Sequence, residues 1–250
     1  MSYTTIAYSG SINSATLIGV PGVPDPTVRV QGNDILVPVG FNRVLGVYSQ
    51  NTTGTFSQLV SPSIRRRYPF DLARIDTGAT PTGPLIPYND LYDNPVLLDD
   101  AEQLDFNSAN GGGGATISRG IVFLGNGDMT LPQGEAFTIR CTGTTTLVAE
   151  SFTNVALTLT NQLPYGEYMV VGARFQSATG IAARLVGAAV FERPGAVCVN
   201  TVSEVDLDRF RYGNSGPWLK FQSVTPPTVD FLATAGDTAQ TVHLDLVKVS

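Results

Sequence analysis

An internal repeat is the feature that most constrains the fold of this chain. The segment 37–67 recurs at 163–193, an offset of 126 residues, and ten of its 31 positions are identical without a gap. About two identities would be expected by chance at an average composition. The identical pairs are Pro38/Pro164, Gly40/Gly166, Val44/Val170, Gly46/Gly172, Gln50/Gln176, Thr53/Thr179, Gly54/Gly180, Leu59/Leu185, Val60/Val186 and Arg67/Arg193. Such a repeat predicts two copies of one structural unit.

The ends of the two halves also match, at an offset of 125. The matched dipeptides are Asp105-Phe106 with Asp230-Phe231, Thr116-Ile117 with Thr241-Val242, and Ile121-Val122 with Leu246-Val247. Between the halves lies a turn-like stretch at 125–128. We therefore predict one domain over residues 1–126 and a second, duplicated domain over residues 127–250.

Strand signals dominate both halves. Short β-branched or aromatic runs predict strands at 35–39, 44–48, 155–159, 168–175 and 218–221, and strict alternation predicts another at 242–246. Turn dipeptides separate these runs. Helical periodicity is confined to 97–104 and 204–210, and the 26 glycines and 16 prolines disfavour long helices. The fold class is therefore all-β.

The matched glycines and prolines have structural roles. Pro38 and Gly40 end one strand and turn, because proline donates no ladder hydrogen bond and glycine accepts a positive φ. Gly46 and Gly172 lie within predicted strands, where glycine marks a bulge or a close backbone approach. Each half is thus predicted to be a small β-sandwich or barrel of about eight strands.

Composition excludes several classes of function. The net charge of −6 and the pI of about 4.7 disfavour a protein that coats phosphate backbones, so no sequence-specific nucleic-acid binding is expected. The N-terminus shows no signal peptide and no apolar run reaches 18 residues, which predicts a soluble protein made in a cytoplasm. Cys141 and Cys198 are predicted to be buried free thiols.

Two tandem, duplicated eight-stranded β-sandwiches without an enzyme motif resemble the double jelly-roll major capsid proteins of lipid-containing icosahedral phages, such as tectiviruses and corticoviruses. The resemblance covers the whole chain at the level of architecture. It implies a homotrimer that forms a pseudo-hexagonal capsomer in an icosahedral shell over an internal viral membrane. The implied partners are neighbouring capsomers and penton and minor capsid proteins, and the implied location is the virion capsid.

Catalysis is poorly supported by the sequence, and no enzyme activity or cofactor is expected. His243 is the single histidine and is predicted to face solvent or an interface, and one histidine with two cysteines cannot easily complete a zinc site. Paired carboxylates are the remaining option. The acidic clusters are Asp99, Asp100, Glu102 and Asp105 in the first half and Glu204, Asp206 and Asp208 in the second. Calcium binding by these clusters stays open.

A charge reversal inside the repeat suggests where the two halves could meet a neighbour. Arg66 aligns with Glu192, Arg65 with Phe191, and Arg67 with Arg193. Opposite charges would attract between unlike lobes and like lobes would repel, so Arg65, Arg66, Arg67, Glu192 and Arg193 are candidate inter-lobe or inter-subunit contacts. The alternative interpretation is that Arg66 and Glu192 are solvated residues at strand ends and contact no neighbour. A carbohydrate-binding or carbohydrate-cleaving β-sandwich and a phage tail or spike component are the alternative functions.

Overall fold

The computed structural model describes residues 2–67, 71, 72, 74–81, 88–127, 133–199 and 217–250. The chain divides into two compact units. The first unit comprises Thr5–Ala79 and Ile86–Asn126, and the second comprises Gly127–Ser250 with Met1–Thr4 and Thr80–Leu85. Within the described ranges, no helix is long and apolar enough to cross a membrane.

The regular secondary structure of the described residues is nearly all β-strand, which confirms the all-β prediction. In the first half the elements are β1 Tyr3–Ile12, β2 Ile18–Gly19, β3 Arg29–Gln31, β4 Asp34–Leu36, β5 Arg43–Asn51, β6 Gly54–Val60, α1 Pro62–Arg67, β7 Asn89–Asp90, β8 Val96–Leu97, β9 Gln103–Asn110 and β10 Thr116–Gly125. In the second half they are β11 Ala136–Gly143, β12 Phe152–Val155, β13 Thr158–Leu159, β14 Glu167–Gln176, β15 Gly180–Val186, β16 Gly195–Val197, β17 Leu219–Gln222, β18 Thr228–Ala233 and β19 Gln240–Lys248.

Two sheets form the first unit. Sheet 1 has the order β1–β10–β5–β7, with β8 also paired to β5. Sheet 2 has the order β2–β9–β4–β3, with β6 also paired to β9, and an isolated bridge joins Gln58 in β6 to Asp71. The apolar faces of the two sheets enclose a core that includes Ile6, Tyr8, Val47, Phe106 and Val122.

The second unit repeats this pairing order. Sheet 3 runs β13–β11–β19–β14–β17 and sheet 4 runs β12–β18–β15–β16. In the first unit the last strand, β10, therefore lies between β1 and β5. In the second unit the last strand, β19, lies between β11 and β14 in the same way. The buried aromatic residues of the second unit include Phe175, which stacks on Trp218 at 6.1 Å and meets Phe231 edge-on at 6.1 Å between ring centroids.

Bulges occur at the same repeat positions in both units. The ladder between β5 and β10 skips Leu45, and that between β14 and β19 skips Val171, each directly before the predicted bulge glycine Gly46 or Gly172. The ladder of β6 skips Thr55, and that of β15 skips the equivalent residue 181. Since bulges fix register and twist, their coincidence shows that the backbone geometry is repeated along with the sequence.

The ladders correct the match between the C-terminal ends of the halves. Gly46 pairs with Phe123 and Gly172 pairs with Asp245, so β10 and β19 correspond at an offset of 122 instead of 125. Likewise β9 and β18 correspond at an offset of 123, because Gly54 pairs with residue 110 and its equivalent at 180 pairs with residue 233. The offset of 125 was wrong, since short dipeptide matches do not record the loop lengths that set strand register.

Local predictions have mixed outcomes. Gly40 has a positive φ of 89°, which confirms the predicted turn, and its repeat equivalent Gly166 also has a positive φ, 151°. The helix predicted at 97–104 is wrong: this stretch contains β8, a turn and the start of β9. The short helix is instead α1, at residues that no periodicity distinguished. The other predicted helix, at 204–210, lies outside the described residues.

Candidate functional site

The arginine cluster 65–67 lies on α1, directly after β6. Arg66 donates to the carboxylate of Asp99 in an exposed ion pair, with 67% and 50% of the two side chains accessible to solvent. The backbone amide of Arg65 bonds to the Ser61 carbonyl at 2.9 Å. The side chain of Arg67 lies outside the described part. Two of the three arginine side chains are thus placed, and both are exposed.

The aligned residues of the second unit lie in a turn after β15 instead of a helix. Glu192 accepts a hydrogen bond from the Ser2 hydroxyl at 2.8 Å. The Arg193 guanidinium donates to the carbonyl oxygens of Ala189 at 3.0 Å and Glu192 at 2.8 Å. The backbone therefore differs at the very positions where the charge reverses.

Arg66 and Glu192 each have a partner inside their own unit. Arg66 has Asp99, and Glu192 has Ser2, which belongs to the second unit. The remaining candidate, Phe191, is 51% exposed. The role of this set in contacts between lobes or subunits stays a prediction.

The acidic cluster of the first half does not converge on one point. Glu102 is buried and holds the start of α1, accepting from the Ser61 hydroxyl at 3.0 Å, from the Ser63 hydroxyl and from the Ser63 amide at 3.0 Å. Asp99 pairs with Arg66, and Asp100 is exposed. The second cluster, Glu204, Asp206 and Asp208, lies outside the described residues. In the described ranges, no three His, Cys, Asp or Glu side chains are placed to hold a metal ion.

The single histidine lies in a charged row across sheet 3. His243 on β19 is half-buried. Its cross-strand neighbours in the ladders are Arg140 on β11 and Arg174 on β14. The neighbouring Asp245 accepts from Arg174 at 2.6 Å and from the Thr138 hydroxyl at 2.6 Å. The carboxylate of Asp245 is thus bound by an arginine and a hydroxyl.

Burial suppresses the reactivity of both cysteines, which are free thiols as predicted. Burial raises the pKa of Cys141 to about 11, against a smaller lowering by Arg140. Burial alone raises the pKa of Cys198 well above its usual value. Neither thiol forms the thiolate that nucleophilic chemistry requires near neutral pH.

A carboxylate pair that the sequence did not reveal lies on sheet 2. Asp34 on β4 stands directly opposite Asp105 on β9. Burial, a hydrogen bond to Asp34 and the charge of Asp34 raise the pKa of Asp105 to about 7, against a lowering by Arg65. The two residues are 71 positions apart, so only the strand register could have identified the pair.

A groove lies in the second unit, beside β17. It has a volume of about 420 Å³ and is lined mainly by apolar side chains, among them Val186, Leu219 and Phe221. Glu167 is the one carboxylate among its described lining residues, and it pairs with Lys220 at 3.5 Å. A glycosidase needs two facing carboxyl groups, which this lining does not supply.

Comparison with known proteins gives little. No family model matches the chain, and no curated protein matches it. Among solved structures, the chain is similar to the crystal structure of the major capsid protein P2 from bacteriophage PM2, with 9% sequence identity and a TM-score of 0.24. The match covers 100% of this chain and 98% of that chain.

Proposed function

We propose that the chain is a viral major capsid protein that self-assembles and has no catalytic activity. In this proposal each unit is a jelly roll, and the duplication supplies two similar lobes per subunit. The observation that carries the proposal is the repeated pairing order of the two units. In one sheet β1–β10–β5–β7 corresponds to β11–β19–β14–β17, in the other β2–β9–β6 corresponds to β12–β18–β15, and the bulges fall at the same repeat positions. Jelly rolls of eight strands in two sheets occur in viral capsid and lectin domains.

The duplication fits a trimer better than it fits a solitary binding domain. Three subunits with two similar lobes make a six-lobed ring in which unlike lobes meet. Such contacts are heterologous, so the two lobes must differ at the surfaces that touch. The exposed Arg66 on a helix and Glu192 in a turn are differences of this kind. The partners would be further copies of the chain, penton and minor capsid proteins, and a membrane beneath the shell.

A carbohydrate-binding protein is the second candidate, because lectins share the jelly roll and the second unit has a groove of about 420 Å³. Phe221 lines that groove and is mostly buried, at 8% exposure. Sugar sites usually stack on an accessible aromatic face, which favours the capsid proposal over this one.

Native mass spectrometry and electron microscopy of the purified full chain test the proposal. Trimers with a pseudo-hexagonal outline, or closed shells, are the expected result. Fibres would favour a tail or spike component. Monodisperse monomers that bind an oligosaccharide array would overturn the capsid proposal in favour of the second candidate.

A further inference from the structure

The pairing of β4 with β9 brings two carboxyl groups face to face. Asp34 is the direct cross-strand partner of Asp105, and the next pair along the ladder is Ile35 with Leu104. Ile35 and Leu104 belong to the core of the first unit. Because side chains alternate along a strand, both aspartates lie on the opposite, outer face of sheet 2. Like charges directly opposite each other destabilise a sheet.

The surroundings of the pair do not neutralise two negative charges. Asp105 Oδ1 is shielded from solvent and accepts no hydrogen bond from a donor in the described part of the chain. Arg65 on α1 acts on Asp105 only as a weaker opposing influence. Arg29 on β3 lines a cavity of about 100 Å³ together with Asp34. Loss of a proton from this site therefore leaves a like-charge pair at a strand junction.

Tyr8 on β1 lies in the core, on the other side of sheet 2 from the pair. Its hydroxyl donates to the Leu104 carbonyl, so it does not donate to the carboxyls. Burial raises the pKa of Tyr8 well above its usual value, and the charges of Asp105 and Asp34 raise it further. Tyr8 therefore stays neutral over the range in which Asp105 titrates.

We infer that Asp34 and Asp105 share one proton in the folded protein, and that this proton makes the attachment of the β3–β4 hairpin to β9 sensitive to pH. The inference is independent of the proposed capsid function, because it concerns the stability of one strand junction.

The direction follows from linkage. The pKa of Asp105 is raised from 3.8 to about 7 in the folded state, so between about pH 4 and 7 the closed junction retains a proton that the opened junction releases. The opened state therefore gains population as pH rises through this range. The stabilising effect of the proton is complete below about pH 4, and the loss levels off above about pH 7. The equilibrium between closed and opened junction changes by at most about tenfold per pH unit.

The second unit contains an internal control. The residue that corresponds to Asp105 in the ladder is Thr228, which pairs with Val186 as Asp105 pairs with Val60. The nearby Asp230 on β18 is held by Arg184 at 3.1 Å. Because Asp230 faces a cation instead of a second carboxylate, β18 has no like-charge pair and should not show this pH dependence.

Hydrogen exchange of the full chain, read by mass spectrometry and corrected for the intrinsic pH dependence of exchange, tests the inference. From pH 5 to pH 7, protection of β4 and β9 amides should fall by up to about tenfold per pH unit, and protection of β18 should not. Asp105→Asn and Asp34→Asn each remove the shared proton and should abolish this slope. Asp99→Asn, at an exposed acid in the same unit, should retain it.

Three results would overturn the inference. One is constant protection of β9 across this pH range in the wild type. Another is an Asp105→Asn variant that folds and keeps the wild-type slope. The third is an equal slope in β9 and β18, which would place the titrating group elsewhere. Carbon-13 NMR titration of the aspartate carboxyls gives an independent measurement: one carboxyl should titrate near pH 7, and either substitution should remove that transition.

Discussion

Asp105 on β9 and Asp230 on β18 show how far the two units have diverged within one backbone plan. β9 pairs with β6, and β18 pairs with the equivalent strand β15. Asp105 faces Asp34. Asp230 accepts from Arg184 Nε at 3.2 Å and from Arg184 Nη2 at 3.1 Å. Backbone pairing is retained in both copies, while each copy has its own partners for buried polar groups.

The outer faces of sheets 1 and 3 differ in the same way. Phe123 and Asp245 occupy equivalent ladder positions, as do Tyr48 and Arg174. In the first unit these positions are aromatic, and Tyr88 covers Phe123 with their ring centroids 5.8 Å apart. In the second unit Arg174 and Asp245 form an ion pair at 2.6 Å. At these positions the face of sheet 1 is therefore aromatic and covered by its own chain, and the face of sheet 3 is charged.

The largest loss of stability is expected at Arg184, which is 1% exposed and stacks over the Phe152 ring at 3.8 Å. Arg184→Ala leaves the carboxylate of Asp230 without its cation, so we expect the second unit to lose ~3 kcal/mol of unfolding free energy. Urea unfolding followed by fluorescence of Trp218, the single tryptophan, measures this loss.

The matched control for Arg184→Ala is Gln58→Ala, at the same repeat position in the first unit. Gln58 donates to Asp71 at 2.9 Å near the surface, so its removal should change stability by no more than ~0.5 kcal/mol. Circular dichroism follows both variants under one set of conditions. Similar losses from the two substitutions would contradict the difference in polar partners between the units.

A medium effect is expected at Gly46, where an added Cβ would overlap the hydroxyl of Tyr88. Gly46→Ala should displace the Tyr88 cover and cost ~2 kcal/mol, because a packed site tolerates little extra volume. Thermal unfolding measures the loss. Gly113→Ala, where no atom lies within 4 Å of the added Cβ, is the control. Combining Gly46→Ala with Tyr88→Ala should remove the steric conflict; a double variant that behaves as the sum of the single ones would argue against it.

The smallest effect on folding is expected at Arg66. Arg66→Glu breaks an exposed ion pair with Asp99, which contributes under about 1 kcal/mol. If Arg66 also contacts an unlike lobe of a neighbour, the variant should fold normally yet fail to form the particles that the wild type forms. Circular dichroism measures whether the variant folds, and sedimentation velocity measures whether it forms particles. If the variant forms the same particles as the wild type, Arg66 is not part of the proposed interface.

Much of the local structure could be predicted from sequence where a residue type limits the backbone directly. Gly40 has a positive φ as expected, and the bulges fall beside Gly46 and Gly172. The helix at 97–104 was wrong because apolar spacing in a short segment does not distinguish a helix turn from two strands joined by a turn. Strand pairing decides the outcome there, because β8 pairs with β5 and the start of β9 pairs with β4.

The sequence by itself determined the duplication, the all-β class and the positions of the matched turns, because each depends on residues close in the chain or on identity between two segments. The tertiary structure alone decided the offsets of 122 and 123 between the last strands and the opposition of Asp34 to Asp105. Strand register depends on loop lengths and bulges accumulated along the chain, and a shift of one residue moves every side chain to the other face. The charged partners of each unit follow from that register, so sequence alignment of the halves could not identify them.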